Sequence, residues 1–491
     1  MNKLGNILKV LEISVDQSCE DIALSYLSSN TQDLSENTLF IALKGLSFDA
    51  RKVDIAELIS KGVVAVIYDD CDDFVMNSES IPCIPCKDLD YKQAIIAKAF
   101  YDNQTSKIEL IGVTGTNGKS TITHIVSQWL HFLGEKTAVM GTLGTGIYPN
   151  LIPSANTTMK ALDLEKRINQ FIENGVESIA MEVSSHGVVQ RRITGLTFSI
   201  AAFTNLSRDH LDFHKTMENY ATAKLDFLKM VNPRNCVLNV GDKTGLEFYQ
   251  NYLTEALCYS REKCEEVNNL IYAENVIYKK SGVEFDVNGK YGKAHFCSKL
   301  LGSFNIENLL CAISILLLKG YTLEQLSKYS NELSPICGRM ECFKGVKTPL
   351  SVVDYAHTPD GLEKALQALK EHSFGRIITV VGCGGDRDTG KRPNMAKIAC
   401  QNSDYVIFTT DNPRTEQPEN ILKMMVDGVV SNYQNYEQVI DRKQAIVKAY
   451  NNATKEDVIL VAGKGHEDYQ IIGKTKHHFS DREIVRELCG L

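Results

Sequence analysis

The chain has 491 residues, 43% of them hydrophobic and 23% charged, with a formal net charge of −8. Its length suits about three domains and its composition an ordinary soluble globular protein. The net acidity, with no basic tract or aromatic-rich basic groove, argues against nucleic acid as a partner.

The first residues, MNKLGNILKVLEIS, are too polar for a signal peptide. Fourteen cysteines lie scattered without a regular framework. Cys83 and Cys86 form the only C-x-x-C pair, short of the four ligands of a structural zinc site. Reduced thiols and a cytoplasmic location are therefore expected. Residues 1–104 alternate short segments: strand over 39–43, helix over 56–60, strand over 63–68 and helix over 91–101. This pattern predicts a small α/β domain.

Residues 105–335 open on an apolar strand, with Ile108, Leu110, Ile111 and Val113. The turn GTNGKST follows at 115–121, and then Ile122, Ile125, Val126, Trp129, Leu130 and Leu133 recur at helical spacing. Strand, Gly-Lys-Ser turn and helix make a phosphate cradle, because backbone N–H groups and the helix dipole face the anion. The usual motif has a glycine where Val113 stands, so this is a shortened variant. A chance Gly-Lys pair in an ordinary turn is the alternative. A strand over 137–140, a glycine-rich turn over 141–146 and a helix over 161–174 come next. Strands over 178–183 and 198–203 end in the polar runs EVSSH and TNLSRDHLD, and a helix spans 218–229. The apolar run 309–318 is shorter than a bilayer crossing and predicts a buried helix, with no membrane insertion.

Residues 336–491 alternate regularly. Strands are expected over 350–354, 376–381, 404–409 and 457–461, and helices over 361–371, 393–401, 418–430, 443–452 and 481–488. That order predicts a parallel, doubly wound, Rossmann-like sheet covered on both faces. The whole is α/β in class. Polar motifs end the strands, where ligands sit in such sheets: DYAH, GCGGDR, DNPR and GKGHE.

A triphosphate in the cradle would need Mg²⁺, a cation that takes oxygen ligands. Lys119 would reach the terminal phosphates, Ser120 or Thr121 the metal, and Glu182 supplies a second oxygen. His210 is a candidate for a second metal, against the alternative of a plain surface or core histidine. Lys224 follows on its helix, where a solvated surface lysine is the alternative. Arg387, Asn412, Arg414 and Glu467 together suit a zwitterionic amino acid, since arginines grip carboxylates and a carboxylate holds an ammonium. Helix caps and surface ion pairs are the alternative.

Taken in order, GTNGKST, EVSSHG, TNLSRDHLD, YAHTPDGL, GCGGDRD, DNPR and GKGHE resemble the Mur ligases, the ATP-dependent amide-forming enzymes of peptidoglycan precursor synthesis. The resemblance is strong from Gly112 to Glu467 and weaker before it. It implies three domains: residues 1–104 for the UDP-muramoyl substrate, a central P-loop-type ATPase over 105–335, and 336–491 for the incoming amino acid. It implies that Gly115, Thr116, Asn117, Gly118, Lys119, Ser120 and Thr121 bind ATP, with Asn308, Arg339, Asp354 and His357 bordering it. Thr31, Leu46, Ser47, Phe48, Asn156, Thr157, Thr158, Ser184, Gln190 and Arg192 would hold the UDP-muramoyl dipeptide. Lys119, Glu182, His210 and Lys224 would be catalytic. Ser120, Glu182, His210 and Lys224, the last carbamylated by CO₂, would serve magnesium. Arg387, Asp411, Asn412, Pro413, Arg414, Gly463 and Glu467 would bind the amino acid. In this family DNPR accompanies meso-diaminopimelate, and Arg414 suits the carboxylate that lysine lacks. The chain departs from the family at Asn30, Thr31 and Gln32, where Asp-Ser-Arg is common, and at Met159, where proline is common. The expected activity is ligation of diaminopimelate by a monomer acting on small molecules, with domain closure to join the reactants. The rivals are a lysine-adding or folylpolyglutamate-type ligase, and a nonenzymatic nucleotide-binding switch.

Overall fold

The structure is a computed structural model that describes residues 2–45, 48–102, 104–154, 156–372, 375–429 and 433–491. Its contacts divide the chain into two units, Met1–Leu257 and Cys258–Leu491.

In the first unit, strands Tyr26–Ser28, Thr38–Ala42, Val63–Asp69 and Cys83–Cys86 form a parallel sheet in chain order. Alternate residues serve opposite faces. Leu39, Ile41, Ala65 and Ile67 join one apolar cluster, with Leu89 and Ile96 of helix Leu89–Phe100. Phe40, Ala42, Val66 and Tyr68 join another with Leu58. This is why the region reads as runs of apolar residues rather than as clean alternation.

The second sheet of this unit runs Cys236–Asn239, Ile200–Phe203, Glu109–Thr114, Ser178–Glu182, Thr137–Gly141, Gly144–Ile147. All neighbours are parallel except the last pair. The strand before the Gly-Lys-Ser turn is central, with Val113 opposite Glu182 and Thr114 opposite Phe203. Parallel register therefore brings three strand ends, and the motifs after them, to one edge. Helix Lys119–Phe132 covers this sheet with Ile122, Ile125, Val126, Trp129 and Leu130, all fully buried.

The second unit contains an antiparallel ladder of Leu270–Lys279, Gly282–Gly289 and Gly292–Ser298. No strand is expected there from the sequence pattern. Buried residues alternate with partly buried ones through the middle of Gly282–Gly289, Gly292–Ser298 begins exposed, and glycines end the strands. Helix Ser303–Leu318 is buried along nearly its whole length, as the apolar run required.

The six-stranded sheet runs Glu341–Phe343, Leu350–Asp354, Val458–Ala462, Ile377–Cys383, Tyr405–Thr410, Tyr436–Gln438, parallel except for its first pair. Val352, Val381 and Leu460 serve one face, and Val353, Val380 and Val461 the other. The helix expected over 418–430 spans Pro418–Val426. An antiparallel hairpin, Tyr469–Ile472 with Thr475–His478, was not foreseen. No described helix is long and apolar enough to cross a membrane.

Candidate active site

The cradle lies between the central strand and its helix. Gly115 has φ 150° and Gly118 φ 91°. A Cβ on Gly115 would lie 1.8 Å from Thr204 Oγ1, so only glycine lets the two strand ends meet. The neighbouring strand end fixes the turn: Thr116 N–H donates to the Asn205 carbonyl at 2.9 Å, and Asn117 N–H to Asn205 Oδ1 at 3.0 Å. Thr204 Oγ1 donates to the Asn117 carbonyl at 2.6 Å. Helix Lys119–Phe132 begins at the motif lysine, three residues before the apolar periodicity starts. Lys119 Nζ donates to the carbonyls of Gly115 and Thr116, both at 2.9 Å, so the ammonium lies over the turn. Ser120 and Thr121 are buried at the helix start.

Glu182, 1% exposed, ends the adjacent strand. Its Oε1 accepts Thr142 N–H at 2.8 Å, and its Oε2 accepts Thr142 Oγ1 at 3.3 Å. A Cβ on Gly141 would sit 2.2 Å from Oε1, which explains the glycine in that turn. The predicted substrate residues join this carboxylate in one polar network. Thr157 Oγ1 meets Thr142 Oγ1 at 3.0 Å, and Thr158 Oγ1 donates to the Glu182 carbonyl at 3.0 Å. Thr158 Oγ1 and Ser184 Oγ are 3.0 Å apart, and Ser184 Oγ caps Gly187 N–H at 3.1 Å. Arg192 donates to the Thr158 carbonyl at 2.6 Å and to Gln190 Oε1 at 2.5 Å. Asn156 is exposed beside this network.

Lys224 lies on helix Met217–Leu228 and is 1% exposed, so it is not a solvated surface lysine. Its Nζ sits 4.3 Å from the Tyr220 ring centroid. Among the described residues no carboxylate lies within ion-pair distance of it. Burial, reinforced by the Lys119 charge, holds its pKa well below that of an ordinary lysine. Tyr220 links this helix to the cradle, its hydroxyl 3.2 Å from Thr116 Oγ1. Tyr220 and Thr142 are not among the expected site residues and emerge only from the fold. His210 is exposed, with φ 52°, 3.4 Å from Asp209 Oδ2 and with its ring 4.9 Å from that of His186.

Among the described residues no three His, Cys, Asp or Glu side chains gather into a metal cluster. Magnesium does not require one, because it keeps waters and substrate phosphates and takes few protein ligands. A buried carboxylate at one strand end and a hydroxyl at the helix start are the oxygen donors it prefers. Of the residues expected at the uridine, the Thr31 carbonyl accepts from Lys61 Nζ at 3.3 Å and Phe48 is 59% exposed. Leu46 and Ser47 lie outside the described residues.

The second unit holds the other predicted residues. Asn308 Nδ2 donates to Asn305 Oδ1 at 2.9 Å on the buried helix. Asp354 Oδ2 accepts Met340 N–H at 2.7 Å and Oδ1 accepts Ala356 N–H at 2.8 Å. Arg339 lies 4.8 Å over the Tyr355 ring, and His357 Nδ1 is 2.8 Å from the Tyr355 carbonyl.

At the ends of strands Tyr405–Thr410 and Val458–Ala462, DNPR and GKGHE meet around a lysine that is not among the expected site residues. Lys464, fully buried, has Nζ 3.1 Å from Asp411 Oδ1, 3.0 Å from Asn412 Oδ1 and 3.7 Å from Glu467 Oε2. Asn412 Nδ2 donates to Glu467 Oε2 at 3.0 Å. Burial and the Asp411 charge raise the Glu467 pKa above the ordinary carboxylate value. Gly463 has φ 120° and Pro413 is buried between these motifs. Arg414 donates to the Gly385 carbonyl at 2.8 Å, and among the described residues no carboxylate pairs with it. Arg387 is exposed, on the loop after strand Ile377–Cys383. An arginine with no acid partner among the described residues, next in sequence to a buried acid–lysine group, can receive a ligand that carries carboxylates and an ammonium.

Residues 113–316 match the Mur ligase middle domain, and residues 338–465 match the Mur ligase, glutamate ligase domain. The UDP-N-acetylmuramoyl-L-alanyl-D-glutamate–2,6-diaminopimelate ligase of Vibrio parahaemolyticus serotype O3:K6 (strain RIMD 2210633) is 42% identical over 478 residues, 96% of each chain. The enzyme of the same name from Vibrio vulnificus (strain YJ016) is 40% identical over 475 residues, 96% of this chain and 95% of the relative. A solved structure of a ligase so named superposes with a TM-score of 0.70 at 32% identity, covering 99% of this chain and 98% of that one. Two family models that together span most of the chain, and likeness along nearly its full length, agree: the chain belongs to the Mur ligase family.

Proposed function

We propose that this chain is the ATP-dependent ligase that adds meso-2,6-diaminopimelate to UDP-N-acetylmuramoyl-L-alanyl-D-glutamate, in the building of peptidoglycan precursors. The observation that carries the reading is Arg414, a guanidinium beside the buried Asp411, Asn412, Glu467 and Lys464 with no acid of its own among the described residues. Relatives named for this reaction at 40% and 42% identity support it.

A free carboxylate is a poor acyl donor. The terminal glutamate carboxylate of the dipeptide attacks the γ-phosphorus of ATP, the bond to the ADP oxygen breaks, and an acyl phosphate forms. The amine of diaminopimelate attacks its carbonyl carbon, phosphate leaves with the bonding pair, and the amine proton passes to solvent. Lys119 and the N–H groups at the start of helix Lys119–Phe132 counter the negative charge on the phosphates. The network of Thr157, Thr158, Ser184, Gln190 and Arg192 orients the acyl substrate beside Glu182. Asn156 flanks that network, and Thr31 and Phe48 belong to the uridine end. Asn308, Arg339, Asp354 and His357 border the nucleotide. Arg387 and Arg414 take the acceptor's carboxylates, and Glu467 its ammonium. Ser120, Glu182, His210 and a Lys224 carbamate would hold magnesium, which would supply positive charge against the phosphates. A buried amine without a countercharge is the form that reacts with CO₂, losing one proton to give an anionic oxygen donor. The working modules are residues 1–104, 105–335 and 336–491, in a monomeric cytoplasmic protein. The fourteen cysteines, all free thiols, suit that compartment.

The test is phosphate release with an acceptor panel. With ATP, magnesium and the UDP-muramoyl dipeptide, release should depend on diaminopimelate and be far slower with lysine. Equal rates with both would remove the assignment of Arg414.

A further inference from the structure

Arg414 is in the left-handed region, with φ 52°. A non-glycine residue stays there only when its surroundings hold it. Its backbone is held from one side by the hairpin Tyr469–Ile472 and Thr475–His478. Arg414 N–H donates to the Ile471 carbonyl at 3.0 Å, and Gly473 N–H donates to the Arg414 carbonyl at 2.7 Å. The hairpin has little core of its own, because Ile472 to His478 are all exposed. Polar tethers seat it instead. Gln470 Nε2 donates to the Asp411 carbonyl at 2.7 Å and to Thr410 Oγ1 at 3.2 Å. Ile471 N–H donates to Asn412 Oδ1 at 3.0 Å, and Lys464 Nζ to the Tyr469 carbonyl at 2.7 Å.

We infer that this hairpin is a strap that fixes the acceptor's carboxylate site, and that Gln470 is its positioning residue. Gln470 reaches this site only through the Asp411 backbone carbonyl and the Thr410 hydroxyl. By tying the strap to Thr410 and Asp411 it keeps Ile471 and Gly473 against Arg414, and so keeps the guanidinium aimed. Gln470 is therefore a determinant of selectivity between acceptors with and without the second carboxylate. This rests on Arg414 receiving that carboxylate, as proposed above.

Gln470→Met, of similar length without N–H donors, and Gln470→Ala are assayed with diaminopimelate and with lysine. The KM for diaminopimelate should rise about five- to tenfold, the ratio that one or two lost hydrogen bonds give. The preference over lysine should narrow by the same factor. The KM values for ATP and the UDP-muramoyl substrate, and the Tm, should stay as in the parent. Unchanged diaminopimelate KM and preference in both variants would overturn the strap, as would a parallel rise of all three KM values with a falling Tm. Arg414→Ala in the same assay separates the two levels. If it leaves diaminopimelate use intact, the underlying site assignment fails; if it acts and the Gln470 variants do not, only the strap fails.

Discussion

Lys224 shows how burial changes a residue's chemistry. An amine at the protein surface stays protonated, whereas Lys224 is 1% exposed and its pKa is driven well down by burial and then by Lys119. Lys224→Ala should lower turnover roughly 10- to 100-fold, the usual cost of losing a group that tunes a metal site. Short carboxylates such as acetate should restore part of it; full activity without rescue would remove the carbamate. Glu165 is a different buried group. Both its carboxylate oxygens are buried with no hydrogen-bond partner among the described residues, and burial raises its pKa from 4.5 to about 7. The folded chain then keeps a proton that the unfolded chain has lost, so stability falls as pH rises from about 4.5 to about 7 and levels off above. Glu165→Gln should therefore gain stability relative to the parent between pH 5 and pH 8, by up to roughly 3 kcal/mol. Thermal unfolding at the two pH values checks it, and a pH-independent difference would contradict it. Neither group was legible as such in the sequence, because a lysine or glutamate in a helix reads the same buried or solvated until tertiary packing is known.

At the scale of elements, strand-end motifs are readable because a parallel sheet forces chemistry to its carboxyl edge. GTNGKST, EVSSH and TNLSRDH do meet there, through the pairing of Val113 with Glu182 and Thr114 with Phe203. The ladder from Leu270 to Ser298 was missed because its strands carry charged and polar residues at high frequency, with no strong apolar alternation. The hairpin after GKGHE was missed for a related reason: exposed strands held by polar tethers leave no hydrophobic pattern. Beside the DNPR and GKGHE motifs, the fully buried Arg442 donates to the Thr410 carbonyl at 3.2 Å, the Ala462 carbonyl at 3.0 Å and Asp481 Oδ2 at 2.7 Å. It thus ties the two strand ends from which DNPR and GKGHE emerge. Asp481→Asn removes the one carboxylate hydrogen-bonded to that cation among the described residues, leaves only the weaker charges of Asp411 and Glu467, and should destabilise by about 3 kcal/mol. Denaturant unfolding reads this directly; a loss below about 1 kcal/mol would mean that the two carbonyls suffice.

At the scale of the whole molecule, the fold class and the alternation of the last 150 or so residues followed from periodicity alone, whereas the residue roles followed from order and combination of motifs. Any one motif here is weak, and Val113 even breaks the standard cradle spacing. The first unit carries the GTNGKST turn and Lys224, and the second carries DNPR and GKGHE. The departure at Asn30, Thr31 and Gln32 leaves Thr31 contributing a carbonyl contact to Lys61 rather than a visible anion grip. The central claim is that an acyl group activated over the Gly-Lys-Ser turn is passed to a diamino diacid. The most direct measurement is the mass of the product formed by purified protein with magnesium, ATP, UDP-muramoyl dipeptide and diaminopimelate. The account predicts a dipeptide enlarged by one diaminopimelate less water, with one ADP and one phosphate per product, and none from Lys119→Ala. Unchanged dipeptide from the folded parent protein, or product from Lys119→Ala at the parent rate, would contradict it.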